Sequence, residues 1–102
     1  MEKSRPHYVL SDIQGEVSRR RAAAFTRTSL KNGLAMGLTV DQLVETVRMM
    51  GRSDFVKSMT THADYTIWQD VYHVRTPTGT IAYVKITGYD DGSPPVIQFK
   101  EK

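Results

Sequence analysis

The chain has 102 residues, of which 39% are hydrophobic, 25% charged and 9% aromatic, the size and composition of one folded domain rather than two or of a disordered tail. It has no cysteine, which removes disulfides, thiolate zinc sites and cysteine nucleophiles, and no apolar run approaches the roughly 18 residues of a membrane span. The net charge of +3 is uneven, with +4 in residues 1–33 and −1 in the remainder, a bias that hints at polyanionic partners. The charged stretch from Met1 to Leu10 does not read as a signal peptide, so the cytoplasm is the expected location.

In chain order, the first elements read as helices. Ser11 and Gln14 have capping-box spacing, and Val9, Ile13 and Val17 supply an apolar stripe for a short helix ending near Arg19-Arg20-Arg21. A brief extended piece at Ala23 to Phe25 leads to Thr26 and Thr28, either of which can cap a second helix carrying Leu30, Leu34 and Met36, kept short by Gly33 and Gly37. Thr39 with Gln42 forms another capping box. Val40, Leu43, Val44 and Val47 then follow helical spacing, with Gly51 placed to close the end. Ser53 and Asp54 are expected to start one further helical turn holding Phe55 and Lys57.

From Thr66 the period falls from 3.6 to 2. The runs Thr66 to Arg75, Thr80 to Gly88 and Val96 to Lys100 are rich in β-branched and aromatic residues and are separated by Thr76-Pro77-Thr78-Gly79 and Asp90-Asp91-Gly92-Ser93, which predicts an antiparallel meander. A three-residue loop with Gly79 left-handed pairs Thr76 with Thr80, hence His73 with Tyr83 and Val71 with Lys85. A second turn centred on Asp91-Gly92 pairs Tyr83 with Lys100 and Lys85 with Gln98. One face then collects Trp68, Tyr72, Ala82, Val84, Ile86, Ile97 and Phe99, apolar enough to receive the helices, which makes the fold class α+β. Asp70 also falls on that face, an awkward place for a carboxylate unless it caps a helix or meets an arginine. The opposite face collects Gln69, His73, Tyr83, Lys85, Gln98 and Lys100, a polar and basic set without a carboxylate.

Such a face suits an anionic ligand, with Lys85 and Lys100 neutralising phosphate and Tyr83 stacking on a base or moving a proton, although a merely solvated sheet face has the same composition. Arg19-Arg20-Arg21 likewise serves either a helix C-terminus or phosphate contact. Trp68 and Phe99 read as core rather than as a stacking platform. Glycine-rich phosphate loops, nucleophile elbows and helical histidine pairs are absent, and His7, His62 and His73 are too scattered for metal ligation; neither a metal nor another cofactor is expected.

The block from Ser53 through Lys57-Ser58-Met59-Thr60-Thr61 and Asp64 to Trp68-Gln69-Asp70-Val71-Tyr72 closely resembles the MqsR family of bacterial mRNA interferase toxins. Tyr83-Val84-Lys85-Ile86-Thr87, Phe99-Lys100-Glu101-Lys102 and the opening residues extend the resemblance over nearly the whole chain. It implies a RelE-like fold, an antiparallel sheet with helices on one side, and a metal-independent endoribonuclease cutting single-stranded mRNA at GC-containing triplets, GCU and GCA. Motif by motif, the family's catalytic positions fall on Lys57, Gln69, Tyr83 and Lys100. The chemistry of metal-free RNA cleavage gives these residues their expected roles, proton transfer for Tyr83, charge stabilisation for Lys57 and Lys100, and phosphate or base orientation for Gln69; Lys85, His73 and Gln98 of the same sheet face are the expected RNA-binding residues, although His62 and His73 do not fall on the family's pattern. The resemblance also implies a co-encoded antitoxin with a zinc-binding N-terminal domain and a helix-turn-helix C-terminal domain; the zinc would be the antitoxin's. The alternative from another class is a non-catalytic RNA-binding or protein-interaction module, whose basic face would look the same.

Overall fold

The strands run in chain order across one five-stranded antiparallel sheet; the last four follow one another directly, and all the helices fall between the first strand and the second. A computed structural model describes residues 1–89 and 91–102. The elements are β1 (Glu2–Lys3), α1 (Leu10–Arg20), α2 (Arg27–Ala35), α3 (Val40–Arg48), β2 (Phe55–Thr60), β3 (Trp68–Arg75), β4 (Ile81–Thr87) and β5 (Val96–Glu101). No helix among the described residues is long and apolar enough to cross a membrane. The class is α+β, as the change of period predicts.

Both expected hairpins form in the expected register, with His73 opposite Tyr83, Val71 opposite Lys85, Tyr83 opposite Lys100 and Lys85 opposite Gln98. Gly79 sits at φ +89, where a side chain would be strained, and lets the chain reverse so that Thr76 N–H donates to Thr80 O at 2.8 Å. In the second connection Asp91 accepts from Ser93 N–H, and Asp90 lies outside the described residues.

Two further strands, β1 and β2, were not expected. The Ser53-Asp54 signal yields a single 3-10 turn, Arg52–Asp54, and Phe55 and Lys57 lie on β2 instead of a helix. The physical reason is tertiary: Phe55 to Thr60 bonds along the free edge of β3 from Tyr72 back to Trp68, which outweighs a weak local cap. β1, two residues long, offers no periodicity to read.

The apolar sheet face packs on the helices as predicted. Tyr72, Ala82, Val84, Ile86, Ile97 and Phe99 form one buried core with Ile13 and Val17 of α1 and Leu43, Val44 and Val47 of α3. Trp68 differs from expectation: it is only half-buried, stacked on His7 at 5.3 Å between ring centroids with Lys3 Nζ 4.1 Å from its ring, so the N-terminal segment covers it rather than the helices.

Helix ends show where local signals win and lose. Thr39 and Gln42 form the capping box on α3, and Thr26 rather than Thr28 caps α2 by accepting from Ser29 N–H. The Ser11 and Gln14 box does not form; α1 begins two residues earlier, with Val9 at the N-cap, and Gln14 Nε2 donates instead to the carbonyls of Val47, Arg48 and Met50. Those carbonyls end α3, so Gln14 does the closing work expected of Gly51, which lies outside the left-handed region at φ −124. Ala23 to Phe25 is not extended as expected: Arg21–Ala24 is a 3-10 turn, and Phe25 alone bridges to Ile97. Gly33 serves packing as well as helix length, since a Cβ there would lie 2.6 Å from Leu43 Cδ2.

Asp70 has a clear role. Fully buried, it accepts His7 N–H on both carboxylate oxygens at 3.0 Å and Tyr8 N–H at 2.9 Å, satisfying the backbone that leads into α1. Tyr8 OH donates to Trp68 O at 2.6 Å and accepts from Gly88 N–H at 2.9 Å, so the segment is strapped across β3 and β4. Burial, with the Asp70 charge adding to it, pushes the nearby Tyr72 phenol up to about 12. Replacing Asp70 by Ala strands buried N–H groups and is expected to cost about 3 kcal/mol, with Asp70→Asn costing less because it keeps one acceptor. Urea unfolding of the two variants measures both costs.

Candidate active site

Lys57, Gln69, Tyr83 and Lys100 come from β2, β3, β4 and β5, one residue from each of four consecutive strands, and all four lie on the sheet face opposite the helices. At the usual spacings this set spans about 14 Å across the strands and about 13 Å along them, since Gln69 stands opposite Thr87, four positions from Tyr83. Lys85, His73 and Gln98 stand on the same face, so every residue expected there is brought to it.

Lys57 reaches this face through a bulge. Residues two apart on a regular strand share a face, yet Phe55 pairs with Tyr72 and packs inward while Lys57 pairs with Val71 on the other side. The irregularity between Phe55 and Lys57 supplies the extra residue, Val56, that reverses the alternation. Lys57, Val71, Lys85 and Gln98 then form one cross-strand row. Val71 is 1% exposed although it faces away from the helices, so the floor between the two lysines is apolar.

The next row holds His73, Tyr83 and Lys100. Lys100 Nζ lies 5.0 Å from the Tyr83 ring centroid, and the His73 ring is 5.5 Å from it at a 44° tilt. Partial burial, helped by the Lys102 charge, lowers the His73 pKa below its ordinary 6.5, so the imidazole is neutral at neutral pH.

Two contributors escaped the sequence reading. Thr87, directly opposite Gln69, accepts from Gln69 Nε2 at 3.0 Å, which leaves the amide oxygen for a ligand; the hairpin register alone would have paired them. Glu2 of β1 approaches Lys57 Nζ at 3.2 Å and is the one carboxylate ion-paired on this face among the described residues. The three arginines that offered a second cationic patch are engaged elsewhere: Arg19 with Glu16, Arg20 with the carbonyls of Pro95 and Ala23, and Arg21 with Asp41. Among the described residues no three His, Asp or Glu side chains are grouped to hold a metal ion.

The fold and this face together define an α+β protein with an open, cationic, tyrosine-bearing sheet surface, equipped to take a polyanion. A family model described as motility quorum-sensing regulator, toxin of MqsA, matches residues 5–101. The mRNA interferase toxin MqsR of Escherichia coli strain K12 is 42% identical over 102 residues, with the whole of each chain covered. The chain belongs to the MqsR toxin family.

Two outcomes test the electrostatics. An NMR titration of the His73 ring is expected to show a midpoint below 6.5 that moves up in Lys102→Ala. The sign for stability follows, because the unfolded chain takes this proton more readily and the His73 contribution is therefore lost as pH falls below 6.5. Glu2→Gln frees Lys57 and is expected to tighten single-stranded RNA binding about two- to five-fold at low salt, the modest effect of an exposed pair, as read by fluorescence anisotropy.

Proposed function

We propose that this chain is the toxin of a toxin-antitoxin pair and cleaves single-stranded mRNA on the open sheet face, stopping translation. The carrying observation is the placement of Lys57, Gln69, Tyr83 and Lys100 on one face from four successive strands, in a family whose E. coli member is named an mRNA interferase. Its substrate places it in the bacterial cytoplasm.

Cleavage without a cofactor needs the ribose 2′-hydroxyl as internal nucleophile. The bond from O2′ to phosphorus forms and the bond from phosphorus to O5′ breaks, leaving a 2′,3′-cyclic phosphate and a 5′-hydroxyl. One proton leaves O2′ and one reaches O5′. A phosphodiester seated over Val71 has Lys57 on one side and Lys85 on the other, with Tyr83 diagonally across at about 7–8 Å between backbone positions, within reach of its hydroxyl. Tyr83 is the residue that moves a proton, and neutral His73 beside it offers a second acceptor. Lys57 and Lys100 stabilise charge building on the non-bridging oxygens, a task that suits the compact ammonium group. Gln69, its nitrogen held by Thr87, orients the phosphate or a base edge.

Recognition of GC-containing triplets and control by an antitoxin with zinc-binding and helix-turn-helix domains extend this reading; the family description names MqsA as the toxin's counterpart. A defined single-stranded RNA carrying GCU, GCA and scrambled sites, incubated in EDTA, tests it. Wild type is expected to cut at the GC triplets, with Tyr83→Phe and Lys57→Ala each slower by about 100-fold or more. Cutting that EDTA abolishes contradicts the cofactor-free mechanism, and full activity in Tyr83→Phe removes tyrosine from it. RNA that is bound but never cut makes the chain a binding module.

A further inference from the structure

Beside the proposed catalytic row, β5 and α2 line a half-open cleft of about 220 Å³. Its walls are of two kinds. Tyr83, Lys85 and Lys100 face it from the sheet, while Thr28 and Asn32 of α2, with Gln98 of β5, supply neutral hydrogen-bonding groups. We propose that this cleft is a nucleobase pocket that reads one base beside the cleaved phosphate, with Thr28, Asn32 and Gln98 as specificity-determining residues; the inference rests on the ribonuclease reading above.

Three observations carry it. The first is size: the cleft falls below the about 300–1,000 Å³ of sites that enclose a drug-sized ligand, so it takes one planar ring system and not a dinucleotide. The second is chemistry. Phosphate is met by ammonium groups, and those lie on the sheet side only, whereas the amides of Asn32 and Gln98 and the hydroxyl of Thr28 match the donor and acceptor pattern of a base edge.

The third is rigidity. Asn32 Nδ2 donates to Phe99 O at 2.9 Å, which fixes the orientation of the amide and leaves Oδ1 to accept. Ser29 Oγ accepts from Phe99 N–H at 2.8 Å and donates to Ile97 O at 3.2 Å, and Thr26 N–H donates to the same carbonyl at 3.1 Å. α2 is thereby stitched to the outer edge of β5, and the wall it presents keeps its place relative to Tyr83 and Lys100. The stitching also occupies backbone groups that an edge strand would otherwise offer to another chain. A base held against this wall leaves its phosphate on the side of Lys85 and Lys100, continuous with the proposed reaction site.

Thr28 is exposed and has no hydrogen-bond partner among the described residues, so Thr28→Val removes the hydroxyl at constant shape, and Thr28→Phe fills the cleft. Both are compared with wild type on a randomised single-stranded RNA pool with sequenced ends, and by calorimetry with the four nucleoside 3′-monophosphates beside inorganic phosphate. The expected result is a base preference at one position next to the cut, weakened about ten-fold in Thr28→Val. The mononucleotides should bind with unequal affinities that Thr28→Phe abolishes while inorganic phosphate binding persists. An unchanged cleavage profile in both variants, or mononucleotides bound no differently from phosphate, overturns the pocket while leaving the ribonuclease reading intact. If wild type cuts nothing yet ranks the four nucleotides through Thr28, the pocket stands and the catalytic reading falls.

Discussion

A β-strand offers its side chains to two faces only, and everything proposed for this protein depends on which residue goes to which face. In β3, β4 and β5 the assignment is set by two connections: a slip of one residue in the first would send Tyr83 under the helices and Val84 into solvent, and a slip in the second would do the same to Lys100 and Phe99. The buried area carried by Tyr72, Val84, Ile86, Ile97 and Phe99 makes such a slip very costly. The stability of the core therefore enforces the geometry of the opposite face. In β2 the same alternation is broken deliberately, and the bulge between Phe55 and Lys57 lets one strand send an aromatic ring to the core and an ammonium to the open face.

The helical side is closed by polar devices that leave the open side unobstructed. Asp70 gathers the backbone of His7 and Tyr8, Gln14 closes the end of α3, and Ser29 and Asn32 bind the edge of β5. Each satisfies backbone groups that would be expensive to bury unpaired. The N-terminal segment thus covers Trp68, and α2 builds a wall beside the row of Tyr83 and Lys100 without covering it. The opposite sheet face keeps its lysines available, apart from the exposed pair of Lys57 with Glu2.

Much of this was legible in the residues. Gly79 and the alternation of Tyr83, Lys85, Gln98 and Lys100 suffice to place three of the four catalytic candidates on a common face, because short hairpins translate local turn chemistry directly into register. Lys57 was legible only through family resemblance, since its face depends on a bulge and on a strand whose partner lies across the sheet. Asp70 and Gln14 were opaque for a related reason: their partners are backbone groups 62 and 36 residues away, and nothing in a local window marks them. The Ser11 and Gln14 signal failed because the Gln14 side chain turns to the carbonyls at the end of α3, to which its amide nitrogen donates, and not back to Ser11 N–H. α2 was foreseen as a helix, but its closeness to Tyr83 and Lys100 arises from the stitching to β5, which no periodicity encodes.

The central claim is that RNA lies across the open sheet face over Val71. The most direct measurement is NMR chemical-shift mapping of the wild-type chain with a single-stranded RNA made uncleavable by a 2′-deoxy substitution at the cut. Large shifts at Lys57, Gln69, Tyr83, Lys85 and Lys100, with α1 and α3 silent, are the predicted result. Shifts centred on the helices or on Arg19-Arg20-Arg21, with the sheet face silent, would contradict the account.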